Sequence, residues 1–157
     1  MPEFSDTERA AMATAMDAAR AAANAGEAPI GAVVLSPEGE TLAVAGNAPI
    51  ATSDPTAHAE IRALREAAAK LGNYRLPGCT LVVTLEPCIM CAGAISHARI
   101  ARLVFGATDE KGGAVVSGPR FFEQPTCHSR PDVAGGLMAE ESADLLRGFF
   151  RARRSNA

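Results

Sequence analysis

The chain has 157 residues, a length that suits one domain over residues 1–157 with a sizeable buried core. Its 15 Lys and Arg against 18 Asp and Glu exclude a general attraction to nucleic acid, so any RNA contact has to come from a local patch. Neither a long apolar run nor a basic-then-apolar leader is present, which points to a cytoplasmic protein with no membrane partner. The first predicted element follows a capping box, Ser5-Asp6-Thr7-Glu8. The alanine-rich stretch behind it predicts a helix to about Ala25, ended by Gly26. Residues 30–35 read as a buried strand, 36–40 as a turn, and 41–45 as the return strand of a hairpin. Residues 47–56 contain two prolines and predict a loop. A second helix is expected over about 57–71, closed by Gly72-Asn73. Residues 80–85 are apolar and too short for a helix, so they read as a strand. A third helix over roughly 88–97 and a strand over 103–107 follow. The Gly- and Pro-rich stretch 109–131 predicts no element. Residues 132–137 hold a short strand, and 139–153 a final helix with Leu145, Leu146, Phe149 and Phe150 on its apolar face. This alternation implies an α/β protein with a parallel section of sheet covered by helices.

Two segments carry the chemistry, Asp54-Pro55-Thr56-Ala57-His58-Ala59-Glu60 and Thr84-Leu85-Glu86-Pro87-Cys88-Ile89-Met90-Cys91. Together they spell H-x-E followed by P-C-x-x-C. Zinc takes thiolate sulfur and imidazole nitrogen in a tetrahedron. With Pro87 opening a helix, Cys88 and Cys91 fall on one face of its first turn, and His58 supplies the third ligand. Three protein ligands leave one position for water, the pattern of a catalytic zinc site. Glu60, two residues past His58, is placed to move protons without being a ligand. Positions i and i+2 do not share a helix face, so the pair requires His58 to sit at the very start of a helix. Both segments then open helices at strand ends, where α/β sheets hold ligands and where helix N-termini favour thiolate and hydroxide. Two other readings of the cysteines stay open. One is a C-x-x-C redox pair. The other is a closed structural zinc site completed by Cys79, Cys127, His97 or His128. Four cysteines, two of them assigned to metal, do not make a disulfide framework, and Cys79 and Cys127 read as reduced thiols.

At these residues the chain resembles the bacterial tRNA-specific adenosine deaminases of the cytidine deaminase-like superfamily. The resemblance runs from Gly26-Glu27-Ala28-Pro29-Ile30-Gly31-Ala32-Val33 to Phe149-Phe150-Arg151, and includes Asn73-Tyr74-Arg75-Leu76 and Cys91-Ala92-Gly93-Ala94. It implies a three-layer α/β/α fold with a central mixed sheet of about five strands, one Zn²⁺ per chain, and a homodimer built near the active site. It further implies that Asn47 reads the purine edge, that Ile30 and Leu85 wall the base pocket, and that Ala59 and Pro87 are among the substrate-binding residues. Asp109 and Lys111 would lie beside the nucleotides of a tRNA anticodon loop. The implied reaction is hydrolytic conversion of adenosine to inosine, with Glu60 as the proton carrier. After Gly113 the chain departs from the family pattern, with Val115-Val116-Ser117-Gly118-Pro119 and Cys127-His128-Ser129-Arg130. Deaminases of free guanine, cytosine or nucleosides share the zinc motif and form the alternative reading. A non-catalytic zinc-stabilised binding module is the remote one. Arg147, Arg151 and Arg154 fall near one face of the last helix, with Arg153 beside them and Phe149 and Phe150 between. They read either as a phosphate-gripping tail or as cations settling the helix C-terminal dipole.

Overall fold

The capping box forms as its residues dictate. Ser5 Oγ accepts the Glu8 N–H at 3.0 Å while Glu8 Oε1 accepts the Ser5 N–H at 3.1 Å. This opens α1 (Asp6–Asn24) in a computed structural model that describes residues 3–155. The chain continues through β1 (Gly31–Leu35), β2 (Thr41–Gly46), α2 (Pro49–Thr52), α3 (Ala59–Leu71), β3 (Thr80–Leu85), α4 (Ile89–His97), β4 (Arg102–Ala107), β5 (Asp132–Gly135) and α5 (Ala139–Ser155). A single 3₁₀ turn, Phe121–Glu123, breaks the long segment before β5.

The five strands form one mixed sheet in the order β2-β1-β3-β4-β5. The hairpin neighbour β2 and the central β3 both run antiparallel to β1, whereas β3, β4 and β5 are mutually parallel. The expected parallel section is therefore real but confined to β3–β5, because β1 lies between the hairpin's return strand and β3. Side chains alternate faces as a pleated sheet requires. Ala32, Val34, Leu81, Val83, Leu103 and Phe105 pack under α3 and α4. Val33, Leu35, Val82 and Val104 pack against Met12 and Ala15 of α1 and Leu137 before α5. The result is three layers, helix–sheet–helix. Gly31 shows how closely α1 lies on the sheet, since a Cβ there would come 1.9 Å from the Ala15 carbonyl oxygen.

Two expected boundaries move. A one-turn helix, α2, interrupts the predicted loop 47–56, because Glu27 accepts the N–H groups of Ile50 at 3.2 Å and Ala51 at 2.7 Å and so caps that turn. On α5, Leu145, Leu146 and Phe149 are half-buried as an apolar face should be. Phe150 is exposed and, with Leu146, lines a groove beside Asp109 and Lys111. Among the described residues, no helix is long and apolar enough to cross a membrane.

Arg102 at the start of β4 locks the first helix to the far strand. Its guanidinium reaches Glu8 Oε2 at 2.6 Å and Asp132 Oδ2 at 2.7 Å. Burial pushes the Glu8 carboxyl up, but Arg102 and the Ser5 N–H outweigh it and hold the group below its ordinary value. A depressed carboxylate contributes stability above its unfolded value of 4.5 and loses it as pH falls through the folded one. Arg102→Ala leaves Glu8 buried without its cation and is expected to cost about 2–3 kcal/mol near neutral pH. The gap from the parent should narrow as pH falls below 4.5, where protonated Glu8 no longer needs a cation. Urea titrations of both proteins between pH 7 and pH 3 check both the size and the sign.

Candidate active site

His58 is the N-cap of α3, with an extended backbone (φ −68°, ψ 153°), so its side chain leaves the chain before helical geometry begins. This is the condition that lets His58 and Glu60 face one point despite their spacing. The approach is set locally. Asp54 Oδ1 accepts the Thr56 N–H at 2.8 Å and the Thr56 hydroxyl at 2.7 Å, a turn that delivers the chain into α3. Cys88 plays the same part on α4, again as an extended N-cap (φ −76°, ψ 177°), with Cys91 in the first turn. Pro87 thus precedes the N-cap and does not open the helix, as the sequence suggested. The change leaves the two sulfurs together, because cap and third helical residues meet across the first turn.

His58 Nδ1 lies 3.6 Å from Cys88 Sγ and 3.5 Å from Cys91 Sγ. Zinc bonds of about 2.3 Å to sulfur and about 2.05 Å to nitrogen require an S···N tetrahedron edge of about 3.6 Å. The triangle is therefore the size that zinc needs, and its three ligand atoms lie within 4.8 Å of one another. Among the described residues, none of Cys79, His97, Cys127 or His128 joins this group, which removes the closed four-ligand arrangement. All four cysteines are free.

The electrostatics suit a cation. Hydrogen bonding from Cys91 and then His58 draws the Cys88 thiol down to about 4, while Cys91 is held well above the ordinary thiol range by Cys88 and by burial. The two sulfurs are thus biased in opposite directions, and a metal ligand set takes both as thiolates. Glu60 is buried, 4% exposed, and burial pushes its carboxyl up to about 7. A carboxyl poised near neutrality beside a metal-sized triangle can both take and give a proton.

The other residues singled out in the sequence are less concentrated. Ala59 and Pro87 are buried beside the triad, and Ile30 is half-buried against the core below it. Leu85 closes β3 and lines a cavity of about 260 Å³ with Asp109, Leu146 and Phe150. Asp109 and Lys111 border a groove of about 580 Å³ against α5, into which Arg147, Arg151 and Arg154 project together, as their spacing predicted. Arg153 turns away to the Gly26 carbonyl, at 3.0 Å, and lies over the Phe149 ring. Asn47 lines a different cavity of about 280 Å³, beside Glu27 and Arg62, that includes none of the triad. Its side-chain Oδ1 is buried without a hydrogen-bond partner.

Two carboxylates went unrecognised in the sequence. Glu27 caps α2 and so fixes the segment leading to His58. Glu86, 2% exposed, accepts hydrogen bonds from four backbone amides and one hydroxyl of the 109–117 loop. An acidic residue closing an apolar strand, one position before the Pro-Cys pair, was the available signal for the second.

A family model described as the cytidine and deoxycytidylate deaminase zinc-binding region matches residues 5–107. The chain is 56% identical over 143 residues to a tRNA-specific adenosine deaminase of Agrobacterium fabrum, covering 91% of this chain and 93% of that one. A solved structure from work on A-to-I editing by tRNA:A34 deaminases at the wobble position of transfer RNA superposes with a TM-score of 0.86 at 55% identity, over 87% of this chain and 99% of the other. A guanine deaminase from Nitrosomonas europaea aligns with a TM-score of 0.73 at 27% identity, over 95% of this chain and 87% of the other.

Proposed function

The chain belongs to the cytidine and deoxycytidylate deaminase zinc-binding family, and from that footing we propose that it hydrolyses adenosine to inosine and ammonia at the wobble position of a tRNA anticodon. The observation that carries the reading is a zinc-sized triangle of His58, Cys88 and Cys91 with the buried Glu60 carboxyl beside it. Zinc held by those three residues supplies a Lewis acid that brings the pKa of water toward about 7. Glu60 takes a proton from the attacking water and hands it to the ring nitrogen next to C6 of the adenine. As oxygen bonds to C6, Glu60 carries the second proton to the exocyclic amine, the C–N bond breaks, and ammonia leaves. The balance is water plus adenosine on one side, inosine plus ammonia on the other.

The base has to leave its stack to reach Glu60, at a cost of a few kcal/mol that is least in a single-stranded loop. Ile30, Ala59, Leu85 and Pro87 supply the apolar border of the base pocket. Asn47 is assigned to the purine edge by the likeness to the tRNA adenosine deaminases alone. The net charge of −3 gives no general pull on RNA, and the groove between the Asp109–Lys111 turn and α5 supplies the local one. Changing Arg147, Arg151 and Arg154 together to Gln is expected to raise KM for an anticodon stem-loop by about tenfold or more and to flatten its salt dependence by about two powers of salt concentration. Turnover at saturation should stay within about threefold. Assays of ammonia release between 50 and 200 mM salt check this, and an unchanged salt slope would remove the groove from RNA binding.

Exposed Ile89, immediately after Cys88, supports a homodimer assembled beside the site, and four free thiols support a cytoplasmic setting. The second reading is a deaminase of a free base. It is favoured by the likeness to the guanine deaminase and by the residues after Gly113. A panel of anticodon stem-loop RNA, guanine, cytosine, adenosine and cytidine, with ammonia as the readout, tests the proposal. Turnover of the stem-loop alone is the expected result, and turnover of guanine alone would replace it with the second reading.

A further inference from the structure

We propose that Glu86 is a positioning residue whose carboxylate clamps the 109–117 loop to the metal-bearing end of β3, and that this clamp sets the affinity for substrate. Glu86 lies two residues before Cys88, and its own N–H is tied to the Ala107 carbonyl at 2.8 Å. Its side chain reaches into the loop. Oε1 accepts the Asp109 N–H and the Ser117 hydroxyl, each at 2.9 Å. Oε2 accepts three consecutive amides, Val115 at 3.0 Å, Val116 at 2.9 Å and Ser117 at 3.0 Å. These four backbone donors have no other acceptor among the described residues.

The segment contains no helix or strand between β4 and the turn at Phe121, and within it the N–H groups of Gly113, Arg120 and Phe121 reach the carbonyls of Asp109, Ser117 and Ala114. A carboxylate offers up to about four lone-pair sites, all acceptors, which matches a nest of converging N–H groups. The packing leaves no slack. A Cβ at Gly113 would meet the Glu86 carboxyl carbon at 2.4 Å, and the Ala114 N–H is bound to the Pro87 carbonyl at 2.9 Å. The loop thus rests on the two residues that lead into Cys88. Its near end carries Asp109 and Lys111, which form one wall of the basic groove. One side chain therefore joins the groove wall to the strand end that presents a metal ligand.

The inference rests on the deaminase reading for its kinetic consequence only. Glu86→Gln keeps size but turns one acceptor into an NH₂ donor that faces other donors. In zinc-loaded Glu86→Gln, amide exchange at Asp109, Val115, Val116 and Ser117 should quicken by about a hundredfold, a readout that needs no substrate. On whichever panel substrate the parent enzyme turns over, KM should rise about tenfold while kcat stays within about threefold and zinc remains at one per chain. Gly113→Ala drives a methyl from a buried loop position against the same carboxylate and against the Asp109 carbonyl oxygen, and should move exchange and KM in the same direction if Glu86→Gln folds poorly. Unchanged exchange would overturn the clamp whatever the substrate proves to be. Faster exchange with KM within twofold of the parent, or a fall in kcat that tracks lost zinc, would overturn the role assigned to it in binding.

Discussion

Glu60→Gln is expected to retain a full complement of zinc and to lose about a thousandfold in turnover, close to 4 kcal/mol in barrier. The reason lies in where the side chain stands. Glu60 is in the first turn of α3, buried to 4% exposure, two residues beyond a ligand but outside the group of three that can grip a metal. Gln has nearly the same shape and can still hydrogen-bond, so packing and the metal site survive. What it cannot do is accept a proton from water and later release one. Positioned proton transfer is worth about 10²–10⁴-fold, and here one carboxyl serves both transfers, so the loss belongs in the middle of that range or above it. Burial pushes this carboxyl up from the ordinary carboxylate range, which favours its releasing a proton as well as taking one. Metal analysis together with steady-state ammonia release decides the matter. Turnover within tenfold of the parent, in protein that contains zinc, would take Glu60 out of the mechanism.

Cys88→Ala is expected to bring zinc from one per chain to below about a tenth, and turnover to background with it. Two ligands, one of them a neutral imidazole, hold zinc far more weakly than three, and the lost thiolate is the donor most ready to ionise, drawn down to about 4 by its neighbours. The variant should also unfold at lower temperature than zinc-loaded parent, since a ligand that binds only the folded state stabilises it and α3 and α4 lose their shared bond. Cys79→Ala is the matched control. Cys79 is likewise free, buried where Cys88 is half-buried, and lies outside the triangle, so that variant should keep its zinc. Full occupancy in Cys88→Ala would mean that the ligand set is wrong.

Much of this arrangement was legible from local chemistry. The capping box at Ser5 and Glu8, the helix stops at Gly26 and Gly72, and the alternation of apolar strands with helices all formed where residue type and period placed them. The awkward spacing of His58 and Glu60 was informative in itself, because it required a helix start, and His58 is an N-cap. The one-turn α2 was missed because its cap comes from Glu27, more than twenty residues earlier, and a local reading has no access to so distant a partner. The 109–131 stretch was opaque for the same reason. Residues 109–117 of it are held from the end of the neighbouring strand by Glu86, in addition to the turn that Asp109 closes on Lys111 and Gly112.

The candidate ligand types, their order and the candidate proton carrier were legible in the linear chain, since coordination chemistry and helix-start geometry depend on residue identity over a few positions. Strand order, the antiparallel seating of β3 against β1, and the joining of the 109–117 loop to the metal-bearing strand were decided only on folding. Those outcomes depend on which distant surfaces exclude water together and which distant donors find an acceptor, and neither is encoded within a short window.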